Sequence, residues 1–214
     1  MPKLRLKISV SLDGFVAGPN QSENDPLGVG GMGLHEWVFG LRAWREPHGL
    51  EGGEVNESNT IVEESTTNIG ATIMGRNMFG GHPGPWAEDK PWNGWWGEDP
   101  PFHHPVFVLT SHARKPLVLA GGTSFTFVTD GIGSALAQAK QAAGGKDISL
   151  AGGAKAASQY LKAGLVDEME LHQVPFLLGS GERLFDGVGP DLHGLQLVRT
   201  VATPKVVHLK FAKL

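Results

Sequence analysis

Residues 147–153, Asp-Ile-Ser-Leu-Ala-Gly-Gly, lead a short apolar strand into a glycine pair, and the small-residue helix Ala-Lys-Ala-Ala-Ser-Gln-Tyr-Leu-Lys follows at once. Glycines at such a junction leave backbone N–H groups free at a helix N-terminus with no Cβ in the way, which suits a phosphate or pyrophosphate. A close strand–helix packing corner needs small residues as well. The pair falls short of a full G-x-G-x-x-G or Walker pattern, so alone it leaves both readings open. Gly-Val-Gly-Gly-Met-Gly at 28–33 follows no predicted strand and reads as a flexible loop. Asp13, on the turn that ends the first strand, could donate or relay a proton or bond its own turn backbone. His103-His104 has no nearby carboxylate or second histidine at helical spacing and reads as loop structure; His172, inside a strand, reads as a core or interface histidine. There is no G-x-S-x-G, and with no cysteine in the chain, thiolate zinc sites, disulfides and a cysteine nucleophile are excluded.

The elements that must hold these residues follow from periodicity. Leu4, Leu6, Ile8 and Val10 alternate with Lys3, Arg5, Lys7 and Ser9, which predicts a strand with one polar face, closed by Asp13-Gly14. Residues 18–56 are rich in glycine, with Pro19, Pro26 and Pro47, and predict a long loop broken by a short helix around Trp37–Trp44. A helix is expected from Asn56 or Ser58 to about Thr67 with Gly70 beyond its end, then a buried strand, Ala-Thr-Ile-Met-Gly, and a short turn or helix from Arg76 to Phe79. After a second irregular segment (80–105), strands are expected at 105–111, 125–130, 147–151 and 167–179, with helices over Gly133–Gly145 and 154–163. The tail predicts two antiparallel strands around Thr203-Pro204. Strands alternating with helices indicate one α/β domain over 1–214, with a mostly parallel sheet covered on both faces and finished by an antiparallel hairpin.

The chain has 214 residues and a net charge of −4. Its basic residues are scattered rather than gathered on one face, which argues against nucleic acid as a partner. No apolar run reaches the roughly 18 residues of a membrane span, and the start shows no signal peptide. A soluble cytoplasmic protein acting on a small molecule is expected.

Four stretches, Ile-Ser-Val-Ser-Leu-Asp-Gly-Phe-Val-Ala-Gly (8–18), Thr-Ile-Met-Gly-Arg-Asn-Met-Phe (72–79), Pro-Val-Phe-Val-Leu-Thr-Ser (105–111) and the long block 148–185, resemble the dihydrofolate reductase-like family. The resemblance is to the branch related to the C-terminal reductase domain of riboflavin biosynthesis enzymes. It covers nearly the whole chain outside the two Trp-bearing loops, and it implies that family's three-layer αβα fold and NADPH as cofactor. Residue by residue, it places the pyrophosphate on Ala151, Gly152, Gly153, Ala154 and Lys155, and the adenosine phosphates near Gly75, Arg76 and Asn77. Thr110 and Ser111 fall near the 2′-phosphate, and Val16 and Ala17 at the edge of the nicotinamide. An arginine fork, hydroxyls and backbone amides are suitable partners for phosphate oxygens.

The chain departs from the pattern at one position. Folate-reducing members carry an acidic residue in the helix before Met-Gly-Arg, where this chain has Asn59, with Glu63 one turn on. Either the role has moved to Glu63 or folate is not the substrate; the second is the expectation here. Near the nicotinamide Asp13 is the other candidate catalytic group. The zinc deaminase usually joined to the riboflavin-type reductase needs cysteines that this chain lacks. The expected activity is an NADPH-dependent reduction of a pterin- or pyrimidine-like heterocycle, imine or carbonyl. The alternatives are the riboflavin-pathway pyrimidine reductase and a non-catalytic nucleotide-binding protein acting through an oligomer interface. All six tryptophans fall in the two irregular loops, where they could wall a substrate pocket or cap the sheet and form a subunit contact. A homodimer is expected from the apolar residues of strand 167–179 and the tail hairpin.

Overall fold

A computed structural model describes residues 1–81, 83–87, 89 and 91–214. In chain order its elements are β1 (Leu4–Ser11), β2 (Phe15–Ala17), α1 (Glu36–Phe39), α2 (Arg42–Arg45), α3 (Glu57–Thr66), β3 (Ile69–Gly75), α4 (Arg76–Phe79), β4 (Pro105–Leu109), β5 (Leu117–Val118), β6 (Ser124–Val128), α5 (Ile132–Ala142), β7 (Asp147–Gly152), α6 (Ala154–Lys162), β8 (Glu168–Val174), β9 (Glu182–Arg183), β10 (Leu195–Ala202) and β11 (Val207–Lys213). Among the described residues no helix is long and apolar enough to cross a membrane.

Nine strands form one sheet in the order β10-β11-β8-β1-β7-β3-β4-β6-β5, and β2 pairs with β9 apart from it. The six strands from β8 to β6 run parallel, while β5 and the β10–β11 hairpin run antiparallel. This is the mostly parallel sheet with an antiparallel finish that the sequence predicts. The α5 and α6 helices cover one face, burying Leu136, Ala139, Ala157, Tyr160 and Leu161 against Leu4, Leu6, Ile73, Ile148 and Leu150.

The other face carries two separate apolar clusters. One gathers Trp37, Leu41, Val62, Val174 and Val206 over the β8 side. The other gathers Met74, Phe79, Val106, Val108, Phe125 and Phe127 over β3, β4 and β6. Helix α3 lies over β1 on this face. It starts at Asn56, whose side chain accepts from the amide of Asn59, as an N-cap should. The polar face of β1 is therefore covered rather than solvated. Arg5 donates to the carbonyls of Glu64 and Thr67, and Lys7 Nζ to Ser65 Oγ at 3.1 Å. Burial, with Arg5 second, lowers the pKa of Lys7 to about 8.

Several boundaries differ from the expectation. Strand β8 stops at Val174, before Pro175, and lies inside the sheet, so the edge on that side belongs to β10. Gly70 lies past the end of α3 as expected, but β3 begins at Ile69, so it already belongs to the strand. The helix expected around Trp37–Trp44 is broken into α1 and α2 at Gly40-Leu41. The short strands β2, β5 and β9 carry too few residues for a periodic signal.

Candidate functional site

A cleft of about 860 Å³ crosses the carboxyl ends of β1, β7, β3, β4 and β6, the end at which parallel α/β sheets receive ligands. Val16 and Ala17 come to it from β2, Gly75, Arg76 and Asn77 from the β3–α4 junction, Thr110 and Ser111 from the end of β4, and Ala151, Gly153, Ala154 and Lys155 from the β7–α6 junction. Residues separated by more than a hundred positions are thus brought to one surface.

At the centre, β7 turns into α6. Gly152 has φ +109°, a conformation that favours glycine, and its peptide bond to Gly153 is cis. Gly152 makes the turn without itself lining the cleft. Gly153 is the N-cap of α6 with φ −65° and ψ −168°, which any residue can adopt, and among the described residues no side chain caps the helix. A Cβ added at Gly153 would meet nothing within 4 Å, so it would project into open space. The packing-corner reading applies instead to Gly75, where an added Cβ would stand 3.1 Å from the Ala156 Cβ. The strand–helix contact needs one small residue at 75, and the cleft has open space at the other, 153.

The surrounding polar groups are already oriented. The Arg76 guanidinium stacks 3.4 Å from the Trp86 ring centre and donates to the Gly80 carbonyl. Arg114 approaches the same indole at 4.9 Å. Burial and then the charge of Arg114 lower the pKa of Arg76 to about 10, so positive charge is concentrated at this end. The Thr110 hydroxyl accepts from the His112 amide at 3.2 Å. Lys155 lies 3.7 Å from Glu182, with its own side chain 77% exposed.

Two sequence-predicted residues stand elsewhere. Asp13 accepts from the Ser11 hydroxyl at 2.6 Å and from the amides of Leu178 and Gly179 at 3.0 and 2.7 Å. The Ser11 hydrogen bond, followed by those amides, holds its carboxyl at about 2. It is ionised throughout the neutral range, does not line the cleft, and ties the 176–179 loop to the β1 turn. The backbone amides it bonds belong to the distant 176–179 loop, not to its own turn as the sequence alternative had it. Glu63 is also outside the lining. It accepts from Arg42 at 3.2 Å and from Asn59 Nδ2 at 2.9 Å, and those bonds lower its pKa, Arg42 first. Asn59 is fully buried and accepts from the Ala43 amide, so it braces α2 against α3.

The tryptophans divide. Trp44, Trp95 and Trp96 line the cleft. Trp37 is buried beside His172 and His208, while Trp86 and Trp92 cap the β3–β4–β6 face. Sequence reasoning missed Gln21, Leu27, His35 and Glu182, which also face the cleft. The first three sit in the glycine- and proline-rich segment 18–56, where no periodicity marks which side chains point inward. His103-His104 holds no metal-like cluster: His104 bonds the Thr72 hydroxyl at 2.7 Å, and no metal-binding group of side chains occurs among the described residues.

The family model of the RibD C-terminal domain matches residues 2–209. The chain belongs to that family. A protein of Bacillus subtilis strain 168, described as uncharacterized protein YyaP, is 27% identical over 203 residues, covering 92% of this chain and 87% of its own. Among solved structures, a putative riboflavin biosynthesis protein from Shewanella sp. PV-4 shares the fold with a TM-score of 0.59 at 19% identity, over 99% of both chains. The Thermotoga maritima diaminohydroxyphosphoribosylaminopyrimidine deaminase/5-amino-6-(5-phosphoribosylamino)uracil reductase gives 0.55 at 12% identity, covering all of this chain and 57% of that one. Dihydrofolate reductase from Enterococcus faecalis, complexed with NADP(H), gives 0.50 at 12% identity over 99% and 96% of the two chains. The RibD C-terminal domain of this chain therefore has the dihydrofolate reductase-like fold expected from its four motif stretches.

Proposed function

We propose that this protein is an NADPH-dependent reductase of a small heterocyclic, imine or carbonyl substrate. The observation that carries the reading is Gly153. It stands at the uncapped N-terminus of the nine-residue helix α6, in the middle of the cleft, with the space beyond its Cα open. Backbone amides of 154 and 155 at a helix N-terminus suit a pyrophosphate, since both the N–H groups and the helix dipole favour negative charge.

The flanking residues fit the rest of such a cofactor. Thr110 and Ser111 offer hydroxyls, and Arg76 a guanidinium, at the β3–β4 end. Val16, Ala17 and Ile8 offer an apolar surface at the β1 end, where a nicotinamide ring would be kept from water. When bound, NADPH supplies the hydride. The chain's own part is to orient cofactor and substrate and to exclude water with the 18–56 and 80–105 segments. The membership of the RibD C-terminal family and the shared fold with a protein complexed with NADP(H) support the same reading.

The test is a titration of the full chain with NADPH by tryptophan quenching, followed by a screen of pterins and pyrimidines monitored by NADPH oxidation. Saturable binding with turnover of at least one acceptor is expected. Binding without turnover of any acceptor would favour the non-catalytic nucleotide-binding alternative.

A further inference from the structure

The apolar cluster around Trp37 rests on a row of polar side chains. Ser9 on β1, His172 on β8 and His208 on β11 stand in register across three adjacent strands, and all three are buried. Side chains of a strand alternate between faces, so Ser9 shares the face of β1 that carries Arg5 and Lys7, opposite α5 and α6. Trp37 of α1 roofs the row. Its Nε1 donates to Ser9 Oγ at 3.0 Å, and its ring centre lies 4.7 Å from that of His172 and 5.2 Å from that of His208. The same short segment carries His35 and Trp44 to the cleft. We propose that residues 31–45 form a proton-operated cover: charging the histidines beneath Trp37 lifts it from the sheet and withdraws His35 and Trp44 from the cleft, while the sheet and helices α5 and α6 stay folded. The inference goes beyond the reductase reading and does not rest on it.

Three observations support a local opening. First, the cluster that holds Trp37, Val38 and Leu41 shares no residue with the core beneath α5 and α6. Second, α1 and α2 have four residues each, too few to be stable through their own hydrogen bonds. Their place therefore depends on what Trp37 and its neighbours touch.

Third, no group under the roof favours a proton there. His172 faces His208, Lys7 of β1 and His35, all cationic when protonated, and His208 faces Arg199 of β10. Glu170, the buried carboxylate of β8, is engaged by Arg199 at 3.0 Å, and Arg199 also holds Glu64 of α3 at 2.7 Å. The other carboxylates of α1 and α3, Glu36, Glu57 and Glu63, are exposed. Burial, followed by these cations, holds the pKa of His172 well below 6.5 and that of His208 at about 4, and burial lowers that of His35. Opening the cover returns each towards 6.5, so the open form takes up the extra proton and gains as the pH falls below that value. For one histidine the gain is about thirtyfold at pH 5 and slight at pH 7.

Hydrogen–deuterium exchange of the full chain, read by mass spectrometry at pH 7 and pH 5 and corrected for the chemical exchange rate, tests the inference. Opening of residues 31–45 is expected to rise at least tenfold between the two conditions, with residues 147–162 changed less than threefold. In His172→Gln/His208→Gln, which cannot titrate at the row, the rise should be at least threefold smaller; circular dichroism confirms that this variant is folded. Ser9→Ala leaves the histidines in place and removes the anchor of Trp37. It should raise the opening of 31–45 at least threefold at pH 7 without moving 147–162. No rise in 31–45 between pH 7 and pH 5 overturns the inference, as does an equal rise in 147–162, which would be a loosening of the whole fold. A folded double variant that responds like the unmodified chain also overturns it. So does a Ser9→Ala protein whose 31–45 segment opens no more than before.

Discussion

The Nδ1 atoms of His172 on β8 and His208 on β11 lie 2.8 Å apart across an antiparallel pair, and both residues are buried. One imidazole must donate and the other accept, so both cannot be protonated without breaking the bond. His208 Nε2 continues the chain to the Ser58 hydroxyl at 2.9 Å, joining the C-terminal strand to α3. The histidine that sequence reasoning set aside as a core residue is one member of a buried polar tie.

The pair makes stability depend on pH with a definite sign. Burial, with His208 second, holds His172 well below 6.5, and burial, with Arg199 second, holds His208 at about 4. The unfolded chain therefore takes up protons first as the pH falls through 6.5, and stability is lost from there down to about 4. The melting temperature should drop by about 5 °C between pH 7 and pH 5. His208→Gln retains a partner for Ser58 but cannot titrate, so its melting curve should be flatter over that range. Parallel curves for the two proteins would count against a role for the pair.

Gly153→Val tests the cofactor cradle. Its backbone conformation is open to valine and the new side chain meets no protein atom within 4 Å at Cβ, so the melting temperature of the protein without cofactor should be unchanged. The isopropyl group would fill the space proposed for phosphate oxygens. Losing two charge-assisted hydrogen bonds, each worth about 1.5–3 kcal/mol, should weaken NADPH at least a hundredfold. A folded variant with normal NADPH affinity would remove the main support for the reductase reading.

Ser111→Asp tests the preference for the 2′-phosphate. Ser111 is exposed at the cleft, so the substitution should not disturb folding. Its carboxylate would repel the 2′-phosphate of NADPH and leave NADH indifferent. NADPH affinity should fall about tenfold, roughly 1.4 kcal/mol, with little change for NADH. An equal loss for both cofactors would place Ser111 away from the 2′ position.

The sheet edge predicts a homodimer. Among the described residues strand β10 has no neighbour on its outer side, and at the register shift between Leu197 and Arg199 the side chains of Leu197 and Val198 are 53% and 45% exposed. Long apolar edges are normally covered. Light scattering at micromolar concentration should give twice the chain mass, and Leu197→Lys should give the monomer. A monomeric unmodified chain would instead mean that β10 is tolerated as a free edge.

Local order decided what was legible. The alternation of Leu4, Leu6 and Val10, the Asn56 cap and the glycine pair before Ala154 are each set by neighbours within a few residues. Strand β1, helix α3 and the β7–α6 turn could therefore be read directly from the sequence, and the four motif stretches fixed the family. Only the tertiary structure decided which glycine packs and which faces the cleft, because Gly75 meets Ala156 across 81 positions of chain while Gly153 meets nothing. The same holds for Asp13, whose partners at 178 and 179 are brought to it by the parallel pairing of β1 with β8. It holds for His35 and Trp44, which reach the cleft from a loop with no hydrophobic period. Side-chain chemistry and short-range spacing are written in the sequence. Which side chains share a surface depends on the order of strands in the sheet, and that order is set by packing between residues far apart in the chain.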